Sequence, residues 1–341
     1  MMETTEYSGN TGGTKGAPQM TMTPEQATWF AGVCDQLVEN VEQVLLGKNH
    51  VIRLSFVALL SRGHLLLEDV PGTGKTSLAR AMAESITGVA SRVQFTPDLL
   101  PGDITGVSIY DQRSGTFDFH EGPVFANIVL ADEINRASPK TQSALLEVME
   151  EGHVTVDGVS HPVGTPFMVI ATQNPVEQAG TYRLPEAQLD RFMMKTSIGY
   201  PDHQSTIRIL EGSDQTDATE LTPVVPASTI AEMTRLATTV HVDASLNDSV
   251  ARIIEGTRQA AEVRLGASVR GALSLIRSSK TLAAASGRSF VIPDDVKSLA
   301  DTVLAHRLIL DAEAEFDGVN PSNVIAQVLI DTPPPRDSAA A

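Results

Sequence analysis

The chain is poor in features that mark several protein classes. It has one cysteine, Cys34, in 341 residues, so no internal disulfide can form, as suits a reducing compartment. A small buried helix residue accounts for that thiol better than a catalytic role. No apolar run approaches the ~18 residues of a membrane span. Residues 1–22 are polar and Gly/Thr-rich, lack an apolar stretch, and read as a disordered tail rather than a signal peptide. Positive charge is also short. Lys and Arg number 25 against 42 Asp and Glu, a net charge of −17. A non-specific nucleic-acid binder needs a basic surface to neutralise phosphates, so the balance disfavours DNA or RNA as a partner. No solenoid-type repeat is present. The expectation is a cytoplasmic protein without direct membrane insertion.

What is present points to a phosphate cradle. A 42% hydrophobic content over this length can bury a sizeable core in about two domains. In His64-Leu-Leu-Leu-Glu-Asp-Val-Pro-Gly-Thr-Gly-Lys-Thr76, the run Leu65 to Leu67 predicts a buried strand. A Gly/Pro turn follows, and Lys75-Thr76 open a helix with Leu78, Met82 and Ile86 on one face. Gly72 and Gly74 let backbone N–H groups turn inward, and the helix N-terminus adds positive dipole. Lys75 can reach the β- and γ-phosphates of a nucleotide, and the Thr76 hydroxyl can ligate Mg²⁺. The strict pattern G-x-x-x-x-G-K-[ST] wants glycine where this chain has Asp69; alone, the match could be a chance Gly-rich turn.

Asn127-Ile-Val-Leu-Ala-Asp-Glu133 strengthens it. An apolar strand ends in adjacent acids, with Asp132 suited to hold the metal through water and Glu133 to activate the attacking water. Pro166 to Pro175 reads as a further buried strand with Asn174 at its polar tip. Asn174 would stand beside the γ-phosphate, unless it is only an Asn-Pro turn. Strands are also predicted at 92–95 and 193–198, giving five. Hairpins are predicted at 108–120 and at 153–163, the latter around Asp157-Gly158. His153 and His161, on the two arms, lack carboxylate or cysteine neighbours and read as surface residues rather than metal ligands. Helical spacing places Trp29, Val33, Leu37 and Val41 on one early helix face. After Pro201 the pattern turns helical, over 228–239, 246–265, 268–286 and 294–308, with an acidic bridge at 211–220 and a flexible tail at 321–341.

The wording of these motifs resembles the MoxR family of AAA+ ATPases. The residues concerned are the phosphate loop, Gln94 to Gly106, Leu130-Ala-Asp-Glu-Ile-Asn-Arg-Ala137, Ala171-Thr-Gln-Asn-Pro175, Leu184 to Phe192 and Gly266-Ala-Ser-Val-Arg270. Asp69 is usual in that family. The resemblance implies an α/β P-loop AAA+ core over 23–201, with a five-stranded parallel sheet and β-hairpin insertions, then a small all-α lid over 202–320. It implies ATP and Mg²⁺ as cofactors. Leu46 and Gly47 would lie at the adenine, and Pro71, Gly72, Thr73, Gly74, Lys75, Thr76 and Ser77 at the phosphates. Thr76 and Asp132 would serve the metal, Glu133 and Lys75 catalysis, and Asn174 would be sensor 1. Arg191 would be a finger reaching a neighbouring subunit, and Arg270 sensor 2. Val269 stands where many members have proline. Arg136 is open between an interface role and a solvated helix start.

The function implied is chaperone-like remodelling or maturation of client proteins, with cofactor or metal insertion among the possibilities. It would be carried out by a homo-oligomer, a hexameric ring, working with a von Willebrand factor A domain protein. Alternatives are a magnesium-chelatase-like subunit, a nucleic-acid motor and a non-hydrolysing scaffold. The charge balance disfavours the motor, and the full set of hydrolytic residues disfavours the scaffold.

Overall fold

The computed structural model describes residues 21–69, 72–174, 181–211 and 217–334. Pro71, most of the N-terminal tail, residues 212–216 of the acidic bridge and residues 335–341 lie outside them. The described chain opens with α1 (Pro24–Glu42) and α2 (Asn49–Leu60). Thr23 caps α1. Its hydroxyl accepts the Gln26 N–H at 3.3 Å, and Gln26 Oε1 accepts the Thr23 N–H at 2.9 Å, so two orphan donors are satisfied reciprocally. The buried face runs through Phe30, Val33, Cys34, Leu37 and Val41. Trp29, expected on that face, is 40% exposed; Phe30 takes its place because 30, 33/34, 37 and 41 form the tighter helical stripe.

Then come β1 (Leu65–Glu68), α3 (Lys75–Ser85), β2 (Ala90–Gln94), α4 (Pro101–Thr105), the hairpin β3 (Gly106–Asp111) and β4 (Thr116–Glu121), and β5 (Ile128–Asp132). After α5 (Pro139–Glu151) follow the hairpin β6 (His153–Val156) and β7 (Val159–Pro162), β8 (Met168–Gln173), α6 (Glu186–Leu189) and β9 (Met194–Thr196). The main sheet has the order β2-β5-β8-β1-β9, and every neighbouring pair is parallel. This is the five-stranded parallel AAA+ core the motifs implied. Alternation divides its strands between two cores. Leu65, Leu67, Ile128, Leu130, Met168 and Ile170 face α1, α2, α3 and the later helices. Leu66, Val129, Ala131, Val169 and Ala171 face Leu145, Leu146, Val148 and Met149 of α5. Burial on both faces is why the central strands read as unbroken apolar runs.

The second hairpin turns at Asp157 and Gly158, with φ of +50° and +79°, as a two-residue turn requires. His161 stacks on Phe119, with ring centroids 4.1 Å apart, and so joins the two hairpins. His153 Nδ1 lies 3.1 Å from the Glu151 carbonyl.

The second half comprises α7 (His203–Glu211), α8 (Ala227–Ala237), α9 (Ala244–Gln259), β10 (Val263–Leu265), α10 (Val269–Ala285), α11 (Pro293–Leu304), β11 (Ile309–Leu310), α12 (Ala312–Phe316) and α13 (Pro321–Asp331). It forms a small helical lid. Two expectations need correction. The helix predicted over 246–265 ends at Gln259, because Ala260 turns extended (ψ +130°) and Val263–Leu265 pairs with β11. The tail predicted over 321–341 is helical to Asp331. Asn320 accepts the Asn323 N–H at 3.0 Å, Pro321 fills the first turn, and Val324, Ile325 and Val328 are buried, with α9 and α11 alongside. Each such side chain contributes roughly 1.5–3 kcal/mol when fully buried, enough to order a short capped helix despite the prolines that follow.

Candidate nucleotide site

Parallel strands gather their C-terminal ends along one edge, and β1, β8 and β5 present their terminal residues there side by side. After β1, Gly72 and Gly74 have φ of +83° and +92°, where only glycine sits without strain. A Cβ at Gly74 would also come within 2.6 Å of Leu45 Cδ1. Asp69 is buried, and its carboxylate accepts the N–H groups of Ile198 at 2.6 Å and Gly199 at 3.0 Å. The residue that departs from the strict motif therefore anchors the mouth of the loop to the segment leaving β9. Lys75 Nζ lies 3.5 Å from the Asp69 carbonyl.

Beside the loop is a cavity of about 450 Å³. Leu46, Gly72, Thr73, Gly74, Thr76 and Ser77 line it, as do Val44, Leu45, Lys48, Arg80, Pro201, Asp217 and Ala218, which the motifs did not single out. Gly47 turns the chain next to it, with φ of +70°, and a Cβ there would collide with the Ser205 side chain. Lys48, which lines the cavity, donates through Nζ to the Tyr200 carbonyl at 2.6 Å. Apolar Val44, Leu45, Leu46, Pro201 and Ala218 at one end suit a flat heterocycle. Asp217 accepts from the Thr219 hydroxyl and N–H, and with Arg80 nearby these hold its carboxyl below the usual range.

At the end of β5, Asp132 is buried and Glu133 adopts the left-handed region with φ of +57°. A non-glycine residue held there costs on the order of 1–3 kcal/mol and clusters at functional sites. Thr172 of β8 secures both acids. Its hydroxyl donates to Asp132 Oδ1 at 2.7 Å and accepts the Glu133 N–H at 2.8 Å. Arg92 donates to Asp132 Oδ2 at 2.7 Å. Gln94 and Arg136 converge on Glu133 Oε2, at 2.7 and 2.8 Å. Arg136 is therefore a partner of Glu133, which neither reading of the sequence had foreseen. Asn174 directly follows β8, the strand between β5 and β1, so it stands between the acids and the phosphate loop.

Arg191 and Arg270 lie elsewhere. Met194 of β9 pairs with Leu65, the first residue of β1, so Arg191 sits at the N-terminal edge of the sheet. At about 3.3 Å per residue, β1 alone separates the two edges by more than about 10 Å. The C-terminal end of α5 reaches the same N-terminal edge, where the buried His64 joins it to the sheet. His64 Nδ1 accepts the Val169 N–H at 3.0 Å, leaving Nε2 to donate to the Met149 carbonyl at 3.0 Å. Burial pushes this imidazole down to about 4. Glu150 follows, and its two carboxylate oxygens take one arginine each: Oε2 lies 3.0 Å from Arg191, and Oε1 contacts Arg270 of α10. Asp190 does not pair with the adjacent Arg191; it pairs with Arg307 of the lid at 2.5 Å. Glu150 and Arg307 carry no motif signature, and Thr172 lies within the Ala171–Pro175 motif without having been singled out; only tertiary contact reveals the role of each.

Comparison with known proteins bears on the fold and the family. Residues 64–194 match the ATPase family associated with various cellular activities (AAA), and residues 255–328 match the AAA lid domain. The chain is 47% identical over 293 residues to the uncharacterized protein YeaC of Bacillus subtilis, covering 86% of this chain and 92% of YeaC. It is 41% identical over 304 residues to Chaperone MoxR1 of Mycobacterium tuberculosis, covering 86% and 80%. A crystal structure of a candidate ATPase from Cytophaga hutchinsonii superposes with a TM-score of 0.85 at 36% identity, covering 92% of this chain and 98% of that one. Among the described residues no helix is long and apolar enough to cross a membrane.

Proposed function

The chain belongs to the MoxR family of AAA+ ATPases, and we propose that it hydrolyses Mg-ATP at sites shared between adjacent copies of a ring to remodel or mature client proteins. ATP hydrolysis itself follows from the AAA+ architecture. Chaperone-like action is supported by the resemblance to Chaperone MoxR1. A hexameric ring, a von Willebrand factor A domain partner and metal or cofactor insertion into the client are the finer parts of this proposal.

In this reading the loop N–H groups and Lys75 bind the β- and γ-phosphates, Leu46 and its apolar neighbours take the adenine, and Asn174 orients the γ-phosphate. The donor set suits Mg²⁺, which takes one or two hard oxygens from the protein and the rest from phosphates and water. Thr76 offers a hydroxyl exposed to the cavity, and the Asp132 carboxylate is held at the strand end by Thr172. When bound, the ion would supply positive charge that offsets the charge developing on the phosphates during transfer. Glu133 acts as general base on the attacking water once its carboxylate leaves Gln94 and Arg136.

The observation that carries the shared site is the separation of Arg191 and Arg270 from the phosphate loop. Both guanidiniums lie at the N-terminal edge, beyond reach of the subunit's own γ-phosphate, so they serve the neighbouring copy. Turnover assays test the functional reading directly. A purified von Willebrand factor A protein should change the ATPase rate, while duplex and single-stranded DNA should not. Several-fold stimulation by DNA, or a gel shift at sub-micromolar protein, would overturn the choice of client.

A further inference from the structure

Resting on the shared-site reading, we propose that Asp190 is a positioning residue for the trans-acting arginines: its carboxylate fastens the core loop that holds Arg191 to the lid helix whose first turn carries Arg270. The two then meet the neighbouring nucleotide as one preset pair.

Arg191 belongs to the core and Arg270 to the lid, so nothing in the backbone keeps their spacing fixed. Asp190 supplies the missing link. Its side chain is 22% exposed, and that of Arg307 only 2%. Arg307 Nη1 reaches Asp190 Oδ1 at 2.5 Å, while Nη2 donates to the Phe192 carbonyl at 2.6 Å. One lid guanidinium therefore grips both sides of Arg191 in sequence. Burial lowers Arg307 to about 10, so it remains charged at neutral pH. The other attachment is Ser268, whose hydroxyl lies 3.2 and 3.1 Å from the two Asp190 oxygens. That hydroxyl also accepts the Gly271 N–H at 3.2 Å, so it caps α10 two residues before Arg270. Asp190 is therefore adjacent to one arginine and joined through the cap to the other. Both arginines converge on Glu150, one per oxygen, which shows the pair already registered to a single anionic group. Two groups acting on one phosphoryl must be held within about 0.5 Å, and a misplacement of about 1 Å can cost roughly 10² in rate.

The test uses the full-length protein with Asp190→Asn, which keeps the shape and removes the charge. Turnover should fall about 100-fold, while KM for ATP and nucleotide affinity stay within about twofold, since the cradle lies at the opposite edge. Mixed with Glu133→Gln subunits, which carry intact arginines, the variant should regain activity, as Arg191→Ala should. Mixed with Arg191→Ala, it should not, because neither partner donates. Asp190→Asn leaves Arg307 buried without its counter-charge, so Asp190→Asn/Arg307→Met is measured in parallel, with circular dichroism on both. If only the double variant folds, the same pattern is required of it. Near-normal turnover in a folded variant, while Arg191→Ala is inactive, overturns the proposal. So does a loss that Glu133→Gln subunits fail to rescue in proven mixed assemblies, or the failure of both variants to fold. An active Arg191→Ala protein instead removes the shared-site reading, and the proposal with it.

Discussion

The two edges of the central sheet are built in different ways. The C-terminal edge is made from contiguous stretches, in which Gly72 to Ser77, Asp132-Glu133 and Thr172 to Asn174 each follow or end a strand. Neighbouring parallel strands bring them together without help from the lid, apart from Asp217 and Ala218 at one wall of the cavity. The N-terminal edge is assembled from Glu150, Asp190-Arg191, Ser268 to Arg270 and Arg307, four separate segments of both domains. One edge is a pocket fixed by backbone geometry. The other is a cluster of charges whose spacing depends on how core and lid dock. Binding should follow the first edge, and turnover should need both.

The sharpest way to break that division is Arg191→Ala. An arginine acting on a transferring phosphoryl group contributes about 10³–10⁵ in rate, and the bland alternative, a surface ion pair, is worth little. Nucleotide affinity should stay near normal. Arg191→Ala and Glu133→Gln should each be nearly inactive alone. In mixed assemblies a Glu133→Gln subunit places its arginines against the intact acids of an Arg191→Ala neighbour, and activity should partly return. No recovery despite proven mixing would count against action in trans.

Next in size is Glu133→Gln by itself. The amide keeps the shape of the pocket and its contact with Arg136, but cannot take a proton, so ATP should bind while kcat falls by about 10²–10⁴. Near-normal kcat would sink the assignment of Glu133 as base. Lys75→Ala should instead show its main defect in nucleotide affinity, since a phosphate contact is removed.

How much of this could be read from the sequence follows the same division. Leu65–Leu67, Ile128–Ala131 and Met168–Ala171 were legible because burial on both faces leaves apolar runs. The phosphate loop and Asp132-Glu133 were legible because their chemistry is local. Arg191 and Arg270 were found only through family resemblance. Glu150, which holds them, was not found, since an acid near a helix end looks like any solvated residue. Arg307 reads as one more lid cation until its burial is known. The helix Pro321–Asp331 was missed because only packing on α9 and α11 compensates its short length. Asp69 first read as a defect in the motif, and became a structural anchor once Ile198 and Gly199 were seen to donate to it.

Acid should affect the N-terminal edge through His64. Its folded value, about 4, lies below the ordinary 6.5, because the buried ring is held neutral. The unfolded chain therefore binds the proton more readily, and the stabilisation is complete above about pH 6.5 and lost as pH falls toward 4. The lowering corresponds to on the order of 3 kcal/mol. His306, lowered by burial to about 3, adds to the same window, so the contribution of His64 must be isolated by substitution. Urea unfolding of His64→Gln should start from a lower baseline but show a shallower loss between pH 6.5 and 4. An unchanged slope would mean that the wild-type ring is not kept neutral.

The smallest of these effects tests the C-terminal edge through Thr172. Its hydroxyl is buried between the two acids, donating to Asp132 and accepting the N–H of Glu133, which is held in a left-handed conformation. Thr172→Val preserves the branched shape and the packing within β8 but leaves that N–H without its partner and removes a donor from a carboxylate. A hydrogen bond to a charged group contributes about 1.5–3 kcal/mol and an unsatisfied buried group costs about 1–3 kcal/mol, so unfolding free energy should drop by about 2 kcal/mol. Turnover should fall about tenfold if Glu133 shifts within its pocket, a smaller loss than removing the base itself. Thr172→Ser distinguishes the two contributions. It restores the hydroxyl and loses only a methyl, so kcat should return while some stability remains missing. If Thr172→Ser were as slow as Thr172→Val, packing rather than the hydroxyl would be what holds the acids. The C-terminal edge would then depend on side-chain packing as much as the edge opposite does.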